Sequence, residues 1–339
     1  MTRRLEAELK RSVLPAVSAA HRTLSQMSLD ELTGLAEEAL ASGSLTLVEE
    51  LVKFSPYAVV YALAKSPSRV LSLVQSSSFD QLVFIYRRLR HYLSEDLKAA
   101  FRVLVSRRLI RVGLALSREA SSGGKLKRVQ YSEACIDFDL EQSIEKILEN
   151  PLKATKYESY VGVTRMLKSR PVVAVLDISG SMFGKKIVLA SIATAVLACS
   201  IAPKDYALIA FSTKPHVVKR MGELVQPTQV VEAILDLSPG GYTNIKGALE
   251  AAEVELKKAS SPDRLTLLLT DGQYNVGGDP RGVAPRLTPL HLLHIKTKSQ
   301  RADWGAKVSL ELAKAGSGAY QEVTSIYDLS RALYNLMSM

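Results

Sequence analysis

The sequence predicts an α/β protein in two parts: an all-helical first part, and a second part with a mostly parallel, doubly wound sheet and helices on both of its faces. From residue 171 onward, apolar strand-like runs alternate with helical patterns, which is the order typical of such a sheet. Before residue 118 we find helical patterns only. With 339 residues and 47% hydrophobic content, the chain can bury two cores.

The first part, residues 1–118, contains several marked helix starts. Two have the serine and Glu/Gln spacing of a capping box, and two place a proline in the first helical turn. These pairs are Ser28 with Glu31, Ser78 with Gln81, Ser55 with Pro56, and Ser66 with Pro67. We predict helix starts near residues 28, 44, 55, 66, 78 and 94, without a fixed repeat.

Residues 119–170 are predicted to be a linker and connector. Small, glycine-rich and basic residues at 119–128 break the helical pattern. A short extended piece and a helix follow from about residue 131. Asp137 and Asp139 could indicate a second ion site there, but a negative charge favoured by the helix dipole is the simpler interpretation of Asp139 or a neighbour.

The third segment, residues 171–339, contains the predicted sheet. We predict strands at about 171–177, 205–212, 216–220, 264–270, 289–296 and 318–323. Helices are predicted near 184–201, 227–236, 244–259, 303–315 and 325–338. In such a sheet, ligands bind at the carboxyl ends of the strands where the strand order reverses.

Five oxygen-bearing side chains stand at such positions. Asp177 ends the first strand, and Ser179 and Ser181 follow it at alternate positions. Thr243 leads from a glycine-rich loop into a helix, and Asp271 ends a later apolar strand. Mg²⁺ prefers octahedral oxygen coordination and keeps several waters, so a few hydroxyl ligands backed by carboxylates suit it. The pattern therefore predicts a site for Mg²⁺ or Mn²⁺.

These motifs resemble the von Willebrand factor A family and its metal-ion-dependent adhesion site, over residues 170 to 339. The resemblance implies direct coordination by Ser179, Ser181 and Thr243, and water-mediated or switching contacts from Asp177 and Asp271. It further implies a Rossmann-like sheet of strand order 3-2-1-4-5-6. A Glu or Asp of a protein partner would complete the metal's coordination shell.

Other interpretations of the same residues remain open one by one. Ser179, Ser181 or Thr243 could be helix N-caps, and Asp271 with the following glycine could be an ordinary turn. Catalytic motifs fit less well. Gly180 and Gly184 lack the spacing and the following Ser or Thr of a phosphate-binding P-loop. Ser179 lacks the flanking glycines of a nucleophile elbow. Ser179 also stands where aspartyl-phosphate enzymes have their second Asp.

Cysteines and histidines provide no alternative metal site. Cys135 and Cys199 are far apart and lack a Cys-x-x-Cys motif, so the sequence suggests neither a zinc ribbon nor a disulfide framework. We expect each cysteine to be a small buried side chain, and the compartment to be reducing. His291 and His294 are three apart on a predicted strand, so they should point to opposite faces. The longest apolar run, 187–203, is shorter than the ~20 residues of a spanning helix, and the N-terminus lacks the apolar core of a signal peptide.

The chain is basic, with 44 Lys and Arg against 34 Asp and Glu. Part of this charge comes from a set of arginines that recur at helical spacing. They could form a solvated or partner-facing surface, or a docking face for phosphate groups or an acidic protein. The set is Arg87, Arg88, Arg90, Arg102, Arg107, Arg108 and Arg111.

From these features we expect a non-enzymatic, cytoplasmic, metal-dependent interaction protein that binds no membrane. The helical part followed by the von Willebrand A-like part is similar to stand-alone prokaryotic proteins that act with MoxR-type AAA+ ATPases, so such an ATPase or its client is the expected partner. Nucleic-acid binding through the basic helices, as in the Ro ribonucleoprotein, is the alternative, and we expect it to be weak. A metal-dependent hydrolase is a weaker alternative.

Overall fold

The computed structural model describes residues 24–120, 125–131, 135, 137–149, 160–166, 170–179, 185–201, 203–238, 240–296 and 302–338. The chain divides into two compact units, Met1–Arg108 and Leu109–Met339. This division falls inside a helix, before the predicted end of the first domain at residue 118. The three-part boundaries 1–118, 119–170 and 171–339 remain predictions.

The first unit is helical throughout its described residues. Its helices are α1 (Leu29–Ser42), α2 (Leu45–Phe54), α3 (Pro56–Lys65), α4 (Arg69–Ser76), α5 (Phe79–Leu89) and the start of α6 (Glu95–Ala120). Their buried faces are almost entirely aliphatic, and Tyr86 and Phe101 add an edge-to-face ring contact at 5.4 Å between centroids. From Leu109, α6 belongs to the second unit.

The capping signals place these helices correctly, with one exception. Both capping boxes form: Ser28 exchanges hydrogen bonds with Glu31, and Ser78 does so with Gln81. The predicted start near residue 66 is wrong, because α4 begins only at Arg69. Ser66 and Pro67 instead form a turn. The carbonyl of Ser66 accepts a hydrogen bond from the N–H of Arg69, and the carbonyl of Pro67 accepts one from the N–H of Val70.

The second unit contains a six-stranded sheet in the predicted places. Its strands are β4 (Val172–Asp177), β5 (Tyr206–Phe211), β6 (Pro215–Lys219), β7 (Leu265–Thr270), β8 (Leu290–Ile295) and β9 (Tyr320–Val323). Their order is β6-β5-β4-β7-β8-β9, and only β6 runs antiparallel to its neighbour. Counted along this sheet alone, the order is 3-2-1-4-5-6, so the expected doubly wound topology is confirmed.

Helices surround this sheet: α8 (Lys185–Ser200), α9 (Pro227–Asp236), α10 (Ile245–Leu256), α11 (Ala302–Ala315) and α12 (Ile326–Ser338). Alternate residues of β4 and β5, including Val173, Val175 and Ile209, form one core with α10 and α11. This alternation follows from the two-residue period of a strand.

Helix α8 is enclosed on every side, since each residue from Ile187 to Ser200 is buried. It packs against α9, α12 and the last turns of α6. A Cβ at Gly113 of α6 would lie 2.8 Å from the carbonyl carbon of Ala195, so the missing side chain lets the two helices approach closely.

A small antiparallel sheet precedes the large one. It consists of β1 (Lys125–Gln130), β2 (Asp137–Asp139) and β3 (Val161–Met166) in the order β1-β3-β2, and helix α7 (Leu140–Glu149) follows β2. Part of the segment predicted as a linker is therefore a strand. Lys125 to Gln130 have no continuous apolar run, and their pairing with β3 joins residues from 31 positions apart (Gln130 with Val161) to 41 positions apart (Lys125 with Met166).

Candidate metal centre

Strands β4 and β7 bring the two predicted carboxylates together. They are parallel neighbours paired from Val172 with Leu265 to Leu176 with Leu269, so Asp177 ends β4 beside Thr270, the last residue of β7. Asp271 follows directly, and both carboxylates are fully buried. They lie at the carboxyl ends of the strands where the order reverses, which is the position expected for a ligand site.

Asp177 is held by neutral hydrogen-bond donors. Its Oδ1 accepts from the N–H of Ser179 at 2.9 Å, and its Oδ2 accepts from the hydroxyl of Thr270 at 2.7 Å. The Thr270 hydroxyl oxygen also accepts from the N–H of Gly272 at 3.0 Å. Sequence reasoning gave Thr270 no role, although it directly precedes Asp271.

The electrostatics of this pair suit a cation. The pKa of Asp177 is raised to about 6, chiefly by burial and also by the negative charge of Asp271, against the opposing hydrogen bonds from Ser179 and Thr270. Within the described ranges no Lys, Arg or His forms an ion pair with Asp177. A buried carboxylate without such a counter-charge, beside a second buried carboxylate and hydroxyl oxygens, is the donor chemistry that a hard divalent ion prefers.

Asn275 clamps Thr243 to the loop that follows Asp271. The side-chain Oδ1 of Asn275 accepts from the N–H of Thr243 at 2.7 Å, and its own N–H donates to the carbonyl of Thr243 at 3.1 Å. Sequence reasoning missed Asn275, because nothing in a lone asparagine 32 positions away marks this contact.

The loop after β5 holds Thr243 from the other side. Tyr242 donates its N–H to the hydroxyl of Thr213 at 2.9 Å, and Asn244 donates its N–H to the carbonyl of Ser212 at 2.9 Å. The side chain of Asn244 caps α10 by accepting from the N–H of Gly247 at 2.9 Å. Thr243 is therefore not the N-cap, and its buried hydroxyl is not used for capping.

Gly272 allows the turn after Asp271 to lie against α11. Its φ is +72°, and a Cβ there would lie 2.1 Å from the carbonyl oxygen of Gly305. The buried Ser179 lies two residues beyond Asp177. Of the five predicted ligands, four are described in these positions, and Ser181 lies outside the described residues.

The remaining candidate residues do not form a second metal centre. The described part of the chain contains no group of three or more His, Cys, Asp or Glu that could hold a metal ion. His291 accepts from the N–H of Ala319 at 3.0 Å, whereas His294 bonds the hydroxyl of Ser309 at 3.1 Å. Cys135 and Cys199 form no disulfide, and burial raises the pKa of Cys199 to about 12.

Asp139 stabilises the start of α7. Its carboxylate accepts from the side chain of Arg128 at 2.7 Å and from the N–H of Gln142 at 3.1 Å, at the start of α7. These contacts lower the pKa of Asp139, with the Arg128 bond as the largest cause. The helix-start interpretation is therefore confirmed for Asp139.

The predicted basic helical face is only partly formed. Arg88, Arg107 and Arg111 are exposed, but Arg87, Arg102 and Arg108 are half-buried and Arg90 is buried. The guanidinium of Arg108 lies over the ring of Phe79, 4.8 Å from its centroid. The arginines therefore do not share one solvated face.

Comparison with known proteins identifies the sheet-containing region. Residues 172–273 match the family model described as von Willebrand factor type A domain. Together with the strand order, this match shows that the second unit contains a von Willebrand A-like α/β domain. No curated protein matches the chain.

Several solved structures are similar in fold, at low identity. An aerotolerance-related membrane protein from Bacteroides fragilis is 16% identical, with a TM-score of 0.42 over 50% of this chain and 98% of that one. BatB from Bacteroides thetaiotaomicron is 18% identical, with a TM-score of 0.42 over 50% and 97%. Proximal thread matrix protein 1 from the mussel byssus, with a zinc-occupied MIDAS motif, is 16% identical, with a TM-score of 0.40 over 50% and 47%. Within the described part of our chain, no helix is both long and apolar enough to cross a bilayer.

Proposed function

We propose that this protein binds partner proteins through a divalent ion, Mg²⁺ or Mn²⁺, held by Asp177, Ser179, Ser181, Thr243 and Asp271. The observation that supports this most directly is the pair of buried carboxylates at the ends of β4 and β7, with Asp177 bonded only to neutral donors that the structure describes. Von Willebrand A domains generally mediate metal-dependent protein–protein interaction, and the family match over residues 172–273 supports the same role here.

Each residue would have a distinct task. Asp177 and Asp271 would supply the negative charge that attracts the ion, and the hydroxyls of Ser179, Ser181 and Thr243 would be neutral ligands. When bound, the ion would act as a Lewis acid with residual positive charge, so it would favour an anionic ligand from outside. We therefore propose that the partner contributes a Glu or Asp side chain.

The finer parts of the proposal concern the partner and the setting. A helical unit followed by a von Willebrand A-like domain supports a non-enzymatic adaptor of an AAA+ ATPase of the MoxR type, or of its client, in the cytoplasm. Nucleic-acid binding is the weaker proposal, because half-buried and buried arginines leave few exposed guanidinium groups for phosphates.

Metal binding can be tested by calorimetry with Mn²⁺ and Mg²⁺. We expect one ion per chain in the full-length protein, and loss of binding in Asp177→Asn. Asp303→Asn, an exposed position at the start of α11, is the matched control and should bind normally. Unchanged metal affinity in Asp177→Asn would refute the site.

The docking mechanism needs a second measurement. Complexes recovered with the wild-type protein should dissociate in excess chelator and should fail to form with Thr243→Ala, while Asp303→Asn retains them. Both treatments would remove the ion, and losing one side of a buried charge contact typically costs about 2–5 kcal/mol, or roughly thirtyfold or more in affinity. A complex that survives both treatments would show that the contact lies elsewhere.

A further inference from the structure

Helix α7 presents its apolar side to solvent. Leu140, Ile144 and Leu148 are 62%, 46% and 72% exposed. They are spaced four residues apart, so they form one stripe along the helix. Exposed apolar residues that occur singly are ordinary, but a continuous stripe of three indicates an interaction surface.

The attachment of α7 leaves this stripe available. The buried residue of the helix is Ser143, whose hydroxyl accepts from the N–H of Val161 in β3 at 2.8 Å. Asp139 fixes the start of the helix through Gln142 and Arg128. Ser143 and the partly buried Ile147, four residues later, therefore lie on the inner side of α7, and the three stripe residues remain exposed.

A row of carboxylates runs beside the stripe. Glu141, Glu145 and Glu149 are exposed, and each follows one stripe residue. Lys146 is the single basic residue of α7, although the chain as a whole has a net charge of +10. The α7 surface thus combines apolar side chains with negative charge on a positively charged protein.

We propose that the α7 surface, formed by the Leu140, Ile144 and Leu148 stripe with its glutamate row, docks into an apolar groove with a basic rim on a protein partner. Amphipathic helices are recognised in this way by anchors three to four residues apart. The glutamates complement lysines or arginines at the rim, which steers the encounter and fixes the register.

The charge pattern argues against two other occupants. A membrane surface with anionic lipids would repel the glutamate row, whereas helices that lie on membranes have Lys and Arg on their polar face. A second copy related by a two-fold axis would place the same surface on both sides, so one glutamate row would face the other.

The test uses the full-length protein and a defined probe. A fluorescein-labelled 14-residue amphipathic peptide of leucine and lysine provides an apolar face flanked by positive charge, which is the chemistry of the proposed groove. We expect binding by fluorescence anisotropy, and at least tenfold weaker binding to Leu140→Gln/Ile144→Gln/Leu148→Gln. Glutamine has nearly the helix propensity of leucine, so α7 should remain folded.

A matched variant controls for general loss of exposed apolar surface. Leu29, Leu71 and Leu224 are 48%, 48% and 82% exposed and lie outside α7, so Leu29→Gln/Leu71→Gln/Leu224→Gln should bind the peptide as the wild type does. Glu141→Gln/Glu145→Gln/Glu149→Gln should bind several-fold more weakly and with less salt dependence. Binding should be unchanged in excess chelator, which separates this surface from the metal centre.

Three results would overturn the proposal. One is equal peptide binding by the wild type and the stripe variant, with circular dichroism showing that both are folded. Another is self-association in sedimentation experiments that the stripe variant abolishes, since the occupant would then be a second copy. The last is stripe-dependent binding to vesicles of phosphatidylcholine and phosphatidylglycerol, which would assign α7 to a lipid surface.

Discussion

Replacing Asn275 by alanine should weaken metal binding, although Asn275 is not among the proposed ligands. Its side chain accepts the N–H of Thr243 at 2.7 Å and so fixes the backbone that presents the Thr243 hydroxyl. The substitution leaves this buried N–H without its acceptor, at a typical cost of about 1–3 kcal/mol. If the ion requires the clamped loop, this cost appears as lost affinity, roughly five- to 150-fold.

Calorimetry with Mn²⁺ measures this loss, and thermal unfolding with and without the ion separates it from general destabilisation. We expect the rise in melting temperature on adding metal to shrink in Asn275→Ala. Asn275→Asp retains an oxygen acceptor at the same position, so it should bind metal better than the alanine variant. An affinity for Mn²⁺ within twofold of wild type in Asn275→Ala would refute the positioning role.

Two further predictions concern stability. Burial lowers the pKa of Lys219 to about 8 from 10.5, so between these pH values the unfolded chain binds a proton at Lys219 that the folded chain does not. In urea titrations, the free energy of unfolding of the wild type relative to Lys219→Met should therefore rise with pH over this range, on the order of 1 kcal/mol; a difference that stays constant or falls would contradict this. Gly277 and Gly278 both have positive φ, but a Cβ at Gly277 would lie 1.9 Å from Oδ1 of Asn244, whereas one at Gly278 meets nothing within 4 Å. Urea unfolding should therefore show a clearly larger loss of stability for Gly277→Ala than for Gly278→Ala, and equal losses would contradict this.

The sequence could predict the large sheet because its four central strands, β5, β4, β7 and β8, are short apolar runs bounded by turn residues. All six predicted strands and all five predicted helices of the second part are present, with ends within three residues. Asp177 and Asp271 could be placed for the same reason, since the carboxyl ends of parallel strands share one edge of the sheet, whereas Thr243 is marked by the glycine-rich loop that precedes it. Ser181 remains a prediction.

What the sequence could not predict depends on contacts between distant residues. Strand β1 has no apolar run and is defined by its pairing with β3, and Asn275 acts through a hydrogen bond to a different loop. Helical spacing in a sequence likewise does not show which other residues cover a side chain in the folded protein. The spacing therefore predicts Arg90 to lie on a basic surface, but in the structure Arg90 is buried.

The enclosure of α8 has a practical consequence for dissecting the protein. Residues at the end of α6, including Ile110 and Gly113, cover α8, and the Sγ of Cys199 approaches the carbonyl oxygen of Ile110 at 4.0 Å. A fragment cut at residue 171, where the first strand of the large sheet begins, would leave the apolar side of α8 open to water. A fragment that begins near Leu109 keeps these residues, so the second half of α6 belongs with the sheet-containing unit in any truncation.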